Sequence, residues 1–365
     1  MARLCQKNEV ALNLISPVQA LPQENIAPSV LLAVRLSLVH QPTIHRLPPM
    51  TNQVKIKQRI KLFNDPGTTA TGEPRAQVDL SELRTLWFNT GTICNLACKN
   101  CFMHSTPKND SLSFLGVHDV ETFLKEVAEQ KLPTLEIGFT GGEPFLNPEF
   151  LPMLELCLKK KYRVLVLTNA MKPMMKVAQD LEALRSLYHE NLVVRVSVDQ
   201  YDKRIHEMER GPNTWDTTLD GLSWLSAEQF EVRVAGRKFG VETEDQARTE
   251  YGKLFRNHEI QIDAHDPEQL VLFPEMNSLE HVPEITEKCW EKLNVDPGNI
   301  MCSHSRMIIK RKGAVAPTIV ACTLIPDDPR FELGTSLAES SRKIALNHPF
   351  CAQFCVLGGA TCSSS

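Results

Sequence analysis

The sequence holds no apolar run long enough to cross a bilayer. Its stretch Val30–Val39 is interrupted by Arg35 and falls far short of the roughly 20 residues a spanning helix needs. There is no excess of positive charge either: the formal net charge is -4, so no global field attracts nucleic acid or an anionic membrane, and neither is expected as a partner. Short-period repeats and low-complexity tracts are absent, apart from a polar Ser363-Ser364-Ser365 tail. Acidic residues are scarce before Pro49, where Glu9 and Glu24 stand against Arg3, Lys7, Arg35 and Arg46. That composition fits an organelle-targeting leader, or a segment preceding a true start at Met50. Residues 1–49 are therefore set outside the fold, and residues 50–85 are read as a lead-in. The expected location is cytoplasmic, or organellar if the leader is genuine.

What remains is an ordinary globular composition, with 42% hydrophobic and 23% charged residues over 365 positions, enough for one large α/β domain with an appendage or for two domains. The eleven cysteines are the first departure. Cys94, Cys98 and Cys101 form one tight group, whereas Cys302, Cys322, Cys351, Cys355 and Cys362 crowd the C-terminal end; Cys5, Cys157 and Cys289 stand apart. A secreted disulfide framework belongs to short chains with a cleavable signal. Clustered thiols in a long chain point to metal or cluster ligation in a reducing compartment.

From Leu86 onward, short apolar runs alternate with helical patterns, the signal for βα units on a mainly parallel sheet. Strands are expected at Leu86–Asn89, Leu135–Phe139, Tyr162–Thr168, Asn191–Val198, Phe230–Ala235 and Leu270–Phe273. Between them lie helical spacings: Val120/Phe123/Leu124/Val127, then Leu151/Leu154/Leu158 opened by an Asn147-Pro148 cap, then Met174 through Tyr188, Trp215 through Leu225, and 245–255. Six such repeats are too few for an eight-stranded barrel. The expected fold class is α/β, a partial (β/α)6 barrel over residues 86–280 with a small Cys-rich extension over 281–365.

Cys94-Asn-Leu-Ala-Cys98-Lys-Asn-Cys101 places three thiols on one loop after the first strand. Three closely spaced thiolates suit three irons of a 4Fe-4S cluster and leave the fourth open to a non-protein ligand. The competing reading is structural zinc, closed by His104 as a fourth ligand. The second strand ends in Gly141-Gly142-Glu143-Pro144. This pair of motifs in this strand order resembles the radical S-adenosylmethionine (SAM) superfamily, over roughly Leu86 to Phe273.

The resemblance implies that Cys94, Cys98 and Cys101 hold the cluster and that SAM chelates its unique iron. It implies that Gly141, Gly142 and Glu143, followed by Pro144, form the edge receiving the SAM amino group. There the glycines permit close backbone approach and the carboxylate accepts from an ammonium. Asn169, Ser197 and Asp199 end the third and fourth βα-unit strands, where open α/β sheets place ligands, and in related enzymes such positions contact SAM. Arg210 resembles the arginine that pairs with the SAM carboxylate in some members. Many members carry an aromatic residue before the third cysteine; here Asn100 stands there, and Phe102 is the substitute candidate.

The C-terminal cysteines follow another pattern. Cys302 and Cys322 bracket a hairpin formed by Met307–Ile309 and Thr318–Val320, and Cys351-Ala-Gln-Phe-Cys355 and Cys362 close the chain. This resembles the auxiliary-cluster extension termed SPASM or twitch, which in full form uses seven cysteines where five stand here. A second 4Fe-4S cluster on four of the five is expected, with zinc as the rival, since four thiolates also close a tetrahedral site. Cys157 reads as a small buried hydrophobe.

The resemblance implies reductive SAM cleavage to a 5′-deoxyadenosyl radical that abstracts hydrogen from a peptide or small metabolite. The electron would come from an external flavodoxin- or ferredoxin-like donor. The alternative is a non-catalytic zinc- or iron–sulfur-binding interaction module.

Overall fold

The structure is a computed structural model that describes residues 62–240, 242–276 and 282–360. Cys5, Met50 and Cys362 lie outside the described residues, as does the leader segment.

Strands β1 (Gln77–Val78) and β11 (Ile344–Ala345) make a small antiparallel pair that ties the start of the described chain to its end. The remaining strands are β2 (Thr85–Asn89), β3 (Glu136–Thr140), β4 (Arg163–Thr168), β5 (Leu192–Ser197), β6 (Glu231–Lys238), β7 (Leu270–Pro274), β8 (Ser305–Ile309), β9 (Thr318–Val320) and β10 (Glu332–Gly334). They form one sheet in the order β10-β9-β8-β2-β3-β4-β5-β6-β7. From β8 to β7 every neighbouring pair is parallel; β9 and β10 are antiparallel additions. The sheet is open, with β7 and β10 as edges, which is the partial barrel expected.

The helices follow from their apolar spacing. Val117–Glu129 buries Val120, Phe123, Leu124 and Val127 on one stripe, and the Asp119 carboxylate accepts from the Gly116 N–H at its start, satisfying a donor the helix cannot use. Glu244–Asn257 opens on a reciprocal Thr243/Gln246 cap.

Three expectations change. The third helical segment breaks into Lys172–Met175 and Ala178–Tyr188 at Val177. The second helix begins at Phe150 rather than at Asn147-Pro148, because Asn147 is buried and its Nδ2 donates to the carbonyls of Thr90 and Leu115, tying β2 to the loop before the first helix. Finally, the hairpin expected in the Cys-rich extension joins the main sheet: β8 lies parallel to β2, with Leu86 opposite Arg306 and Trp87 opposite Met307. Strands after the six repeats therefore share one sheet with them.

Gly138 marks how tightly the inner face packs, since a Cβ there would meet the Trp87 ring at 2.3 Å. Among the described residues no helix is long and apolar enough to cross a membrane.

Candidate functional site: two thiol-lined cavities

Strands β2 to β7 bring residues at or near their C-terminal ends to one cavity of about 190 Å³, the usual ligand position in an open α/β sheet. Cys94, Cys98 and Cys101 line it together. Their loop is fixed by backbone: Cys94 N–H donates to Thr106, and Lys99 N–H to Glu209. Two N–H groups already point at thiols, Leu96 at Cys94 Sγ and Ser105 at Cys101 Sγ, each at 3.4 Å. Burial pushes the Cys94 thiol up to about 12 and Cys98 in the same direction. Such thiols give up protons to a metal rather than to solvent. His104, the ligand the zinc reading needs, is exposed and does not line the cavity. The closed three-thiolate, one-imidazole set is therefore not formed here.

The Gly141-Gly142 edge meets this loop directly. Gly142 N–H donates to the Gly91 carbonyl at 2.7 Å and Glu143 N–H to the Ile93 carbonyl at 3.1 Å. A Cβ on Gly142 would sit 2.1 Å from Ile93 O, and one on Gly141, whose φ is +146°, 2.6 Å from Gly91 O. The glycines thus admit the backbone of the thiol loop, while both also line the cavity. The Glu143 carboxylate is buried and accepts from Thr168 Oγ1 at 2.8 Å and Asn169 N–H at 2.9 Å, both residues of the cavity lining. Burial pushes this carboxyl up to about 7, against the pull of those hydrogen bonds. A carboxylate so engaged latches the end of β3 to the end of β4. Pro144 is buried at the start of the short turn that follows.

Asn169, Ser197, Asp199 and Arg210 do line the cavity, as the sequence placed them. Asn169 Nδ2 reaches Asn95 at 2.9 Å. Asp199 pairs with Arg210 at 3.1 Å and with Arg237 at 3.6 Å. Burial pushes the Asp199 carboxyl up, but the two guanidinium charges outweigh it and hold it below the usual carboxylate value. Phe102 lines the cavity beneath the Arg237 guanidinium, 5.2 Å from the ring centroid. Asn100, just before the third cysteine, bonds the Glu209 carboxylate at 2.6 Å.

Sequence reasoning missed Trp87, Ser105, Arg195 and Arg237, all at this cavity. The signal for the two arginines was present: each interrupts an apolar strand, in Val194-Arg195-Val196 and Ala235-Gly236-Arg237, and charge inside a strand pattern marks a polar cavity or a buried partner. Trp87 Nε1, Ser105 Oγ and Arg210 Nε are buried without a hydrogen-bond partner. Unsatisfied donors around three converging thiols fit a cluster with a polar small-molecule ligand.

The second cavity is smaller and apolar, about 20 Å³, and brings together Cys302, Cys322, Cys351 and Cys355. Cys302 is the middle residue of the short turn Met301–Ser303 before β8, and Cys322 follows β9. Cys351 and Cys355 share the π-helical turn Cys351–Val356. Burial pushes Cys302 up to about 11 and Cys351 to about 12. Leu324 lines both cavities. Phe102 of the first meets Phe350 of the second edge to face, 5.9 Å between centroids. Cys157 is fully buried in its helix, as expected.

An open parallel sheet with a CX3CX2C loop and a Gly-Gly-Glu-Pro edge at its strand ends is the arrangement of a radical SAM domain. Residues 88–249 match the family described as the Radical SAM superfamily.

Among curated relatives, 193 residues are 30% identical to the antilisterial bacteriocin subtilosin biosynthesis protein AlbA of Bacillus subtilis, covering 51% of this chain and 40% of AlbA. The GTP 3′,8-cyclase of Pasteurella multocida is 26% identical over 143 residues, 38% of this chain and 39% of the cyclase. The chain thus spans about two fifths of the length of these relatives. Streptococcus suis SuiB bound to precursor peptide SuiA shares the fold at TM-score 0.52 and 13% identity, covering 70% of this chain and 63% of SuiB.

Proposed function

We propose that the chain binds a 4Fe-4S cluster through Cys94, Cys98 and Cys101 and uses it to cleave SAM reductively. When bound, cluster and SAM supply one-electron scission of the C5′–S bond, giving methionine and a 5′-deoxyadenosyl radical that takes a hydrogen atom from the substrate. The observation that carries the reading is the convergence of three thiols, the Gly141-Gly142 edge and unsatisfied donors on one cavity.

The chain's own residues have separable parts in this reading. Three thiolates hold three irons and leave the fourth for a non-protein ligand. Gly141 and Gly142 keep the β3 edge flush against the thiol loop, so backbone groups reach the ligand without side chains intervening. Asn169 and Ser197 offer neutral polar atoms, and Arg210 a cation held in place by Asp199, suited to a carboxylate. Phe102 and Trp87 give an apolar wall that excludes water from the reacting centre.

The second cavity is read as an auxiliary 4Fe-4S site on Cys302, Cys322, Cys351 and Cys355, in a SPASM- or twitch-like region. Cys362 lies outside the described residues. The electron donor is a flavodoxin- or ferredoxin-like protein. For substrate we favour a peptide: AlbA is named for biosynthesis of a bacteriocin, and SuiB is solved with a precursor peptide. A small metabolite is the second reading, favoured by the likeness to GTP 3′,8-cyclase.

Anaerobic protein given dithionite and SAM is expected to yield 5′-deoxyadenosine and methionine in equal amounts, read by chromatography. Protein with a full cluster that leaves SAM intact overturns the proposal.

A further inference from the structure

Arg306 is one of the largest fully buried side chains of the described molecule, 1% exposed on strand β8. Its guanidinium donates to four carbonyls: Ser340 at 2.9 Å, Cys302 at 2.6 Å, Ser305 at 2.8 Å and, more weakly, Arg342 at 3.5 Å. Those oxygens satisfy its N–H groups but carry no net charge. Among the described residues no Asp or Glu forms an ion pair with it. The contrast with the other fully buried arginine of the C-terminal junction is direct, for Arg75 is neutralised by the Glu284 carboxylate at 2.5 Å. A buried cation without a counter-charge is among the costliest arrangements a protein can hold.

The Cys302 carbonyl that Arg306 Nη1 holds at 2.6 Å belongs to one of the cavity's own residues, and the thiols of Cys302 and Cys322 are two of the four that line the apolar cavity. As thiols they are neutral and leave the cation uncompensated. As thiolates bound to iron they form part of a centre whose net charge is negative, and the balance is restored. We propose that Arg306 is the counter-cation of the iron–sulfur centre held by Cys302, Cys322, Cys351 and Cys355, and that its fixed charge raises the reduction potential of that centre. The inference rests on the auxiliary-cluster reading of this cavity.

The electron balance is simple. The centre gains one electron from the external donor or from a substrate radical, and becomes more negative by that charge. The guanidinium neither gains nor loses a proton, because it stays charged throughout the accessible pH range. Removing it therefore disfavours the reduced form, and the potential falls.

The test uses the full chain, purified anaerobically, with Cys94, Cys98 and Cys101 changed to alanine so that the auxiliary centre is observed alone. Iron is counted, and the potential is read by EPR-monitored redox titration. Arg306→Gln is expected to shift the reduction equilibrium at least tenfold towards the oxidised form, about 59 mV for one electron, with about four irons retained. Arg306→Met, which keeps the apolar stem, is expected to shift it the same way, whereas Arg306→Lys stays within about threefold of the parent, a 59 mV decade being the scale. If both neutral variants fail to take up iron while Arg306→Lys takes up a full count, the requirement for charge is supported directly.

Full iron with an unmoved potential in Arg306→Gln or Arg306→Met overturns the role of Arg306 alone. So does an Arg306→Lys protein that loses its iron as completely as the neutral variants, since the guanidinium is then a strut for the backbone carbonyls. Zinc, or no metal, in the parent overturns the reading of the cavity itself.

Discussion

The two thiol-lined cavities share a wall at Leu324 yet are built on opposite physical plans. The first gathers three thiols with Asp199, Arg210, Arg237 and Asn169 at the open ends of parallel strands. The second surrounds four thiols with aliphatic and aromatic side chains and has no charged side chain in its lining. A three-thiol site amid polar groups leaves both a coordination position and hydrogen-bonding capacity for a small molecule. A four-thiol site in an apolar shell leaves neither. Ligand count and lining polarity thus argue for the same division of labour: chemistry at the strand ends, and a closed centre beside them.

Mutations can break that comparison, and the largest effect is expected at the thiols. Cys94→Ala should reduce 5′-deoxyadenosine formation by about a thousandfold or more, because the cluster supplies the electron and most of the rate. Cys322→Ser should leave reductive SAM cleavage within about tenfold of the parent, roughly 1.4 kcal/mol. Equal loss in both variants, followed by chromatography, would erase the functional difference between the cavities.

Next in size is the ion pair that makes the first cavity polar. Asp199→Asn strips the shared carboxylate from Arg210 and Arg237, and breaking a buried pair of this kind costs about 3–5 kcal/mol. A fall in denaturation midpoint and weaker SAM binding by isothermal calorimetry are both expected; a midpoint equal to the parent contradicts the pairing.

A buried imidazole beside this pair supplies a pH test. His206 is fully buried, neither ring nitrogen has a partner, and it lies edge-on to Trp215 at 5.3 Å. Burial, with Arg210 nearby, lowers it from 6.5 to about 4. The unfolded chain then binds the extra proton between those values, so the contribution is complete above 6.5 and is lost as pH falls towards 4. Melting temperatures recorded across that window should drop steeply in the parent and less in His206→Phe, by about 3 kcal/mol of stability at the acid end. Parallel profiles would mean that His206 is not buried neutral. His348, beside Phe350 at the second cavity and likewise lowered to about 4, is unchanged in that variant.

The smallest expected effect concerns the seam between loop and sheet. Gly142→Ala forces a methyl group against the Ile93 carbonyl, an overpacking cost of about 1–3 kcal/mol. Iron retained at the first site should fall while the second site keeps its own. Undiminished iron at the first site would show that the two loops can separate freely.

Much of this was legible in the residue order because the relevant interactions are local. The six apolar runs from Leu86 to Phe273 each became a strand, and a CX3CX2C spacing fixes three thiols on one loop whatever lies around it. What was not legible depends on partners distant in sequence. Nothing near Glu143 announces that Thr168 and Asn169 will claim its carboxylate. Nothing in Ser305–Ile309 states that this strand will pair in parallel with Thr85–Asn89 across more than half the chain. Arg195 and Arg237 are charges within apolar strands that were passed over, and the fold brings both to the cavity of the thiol loop from β5 and β6. The four C-terminal thiols could be counted from the sequence, and their meeting in one cavity required the hairpin and the terminal turn to fold back together.

The central claim is that these are two separate iron–sulfur sites, each with its own cysteines. Iron and sulfide counts on anaerobically prepared protein test it most directly, comparing the parent with the Cys94/Cys98/Cys101→Ala and the Cys322/Cys351/Cys355→Ser triple variants. The account predicts about eight irons in the parent and about four in each variant; a colourless parent carrying zinc, or a variant that keeps every iron, contradicts it.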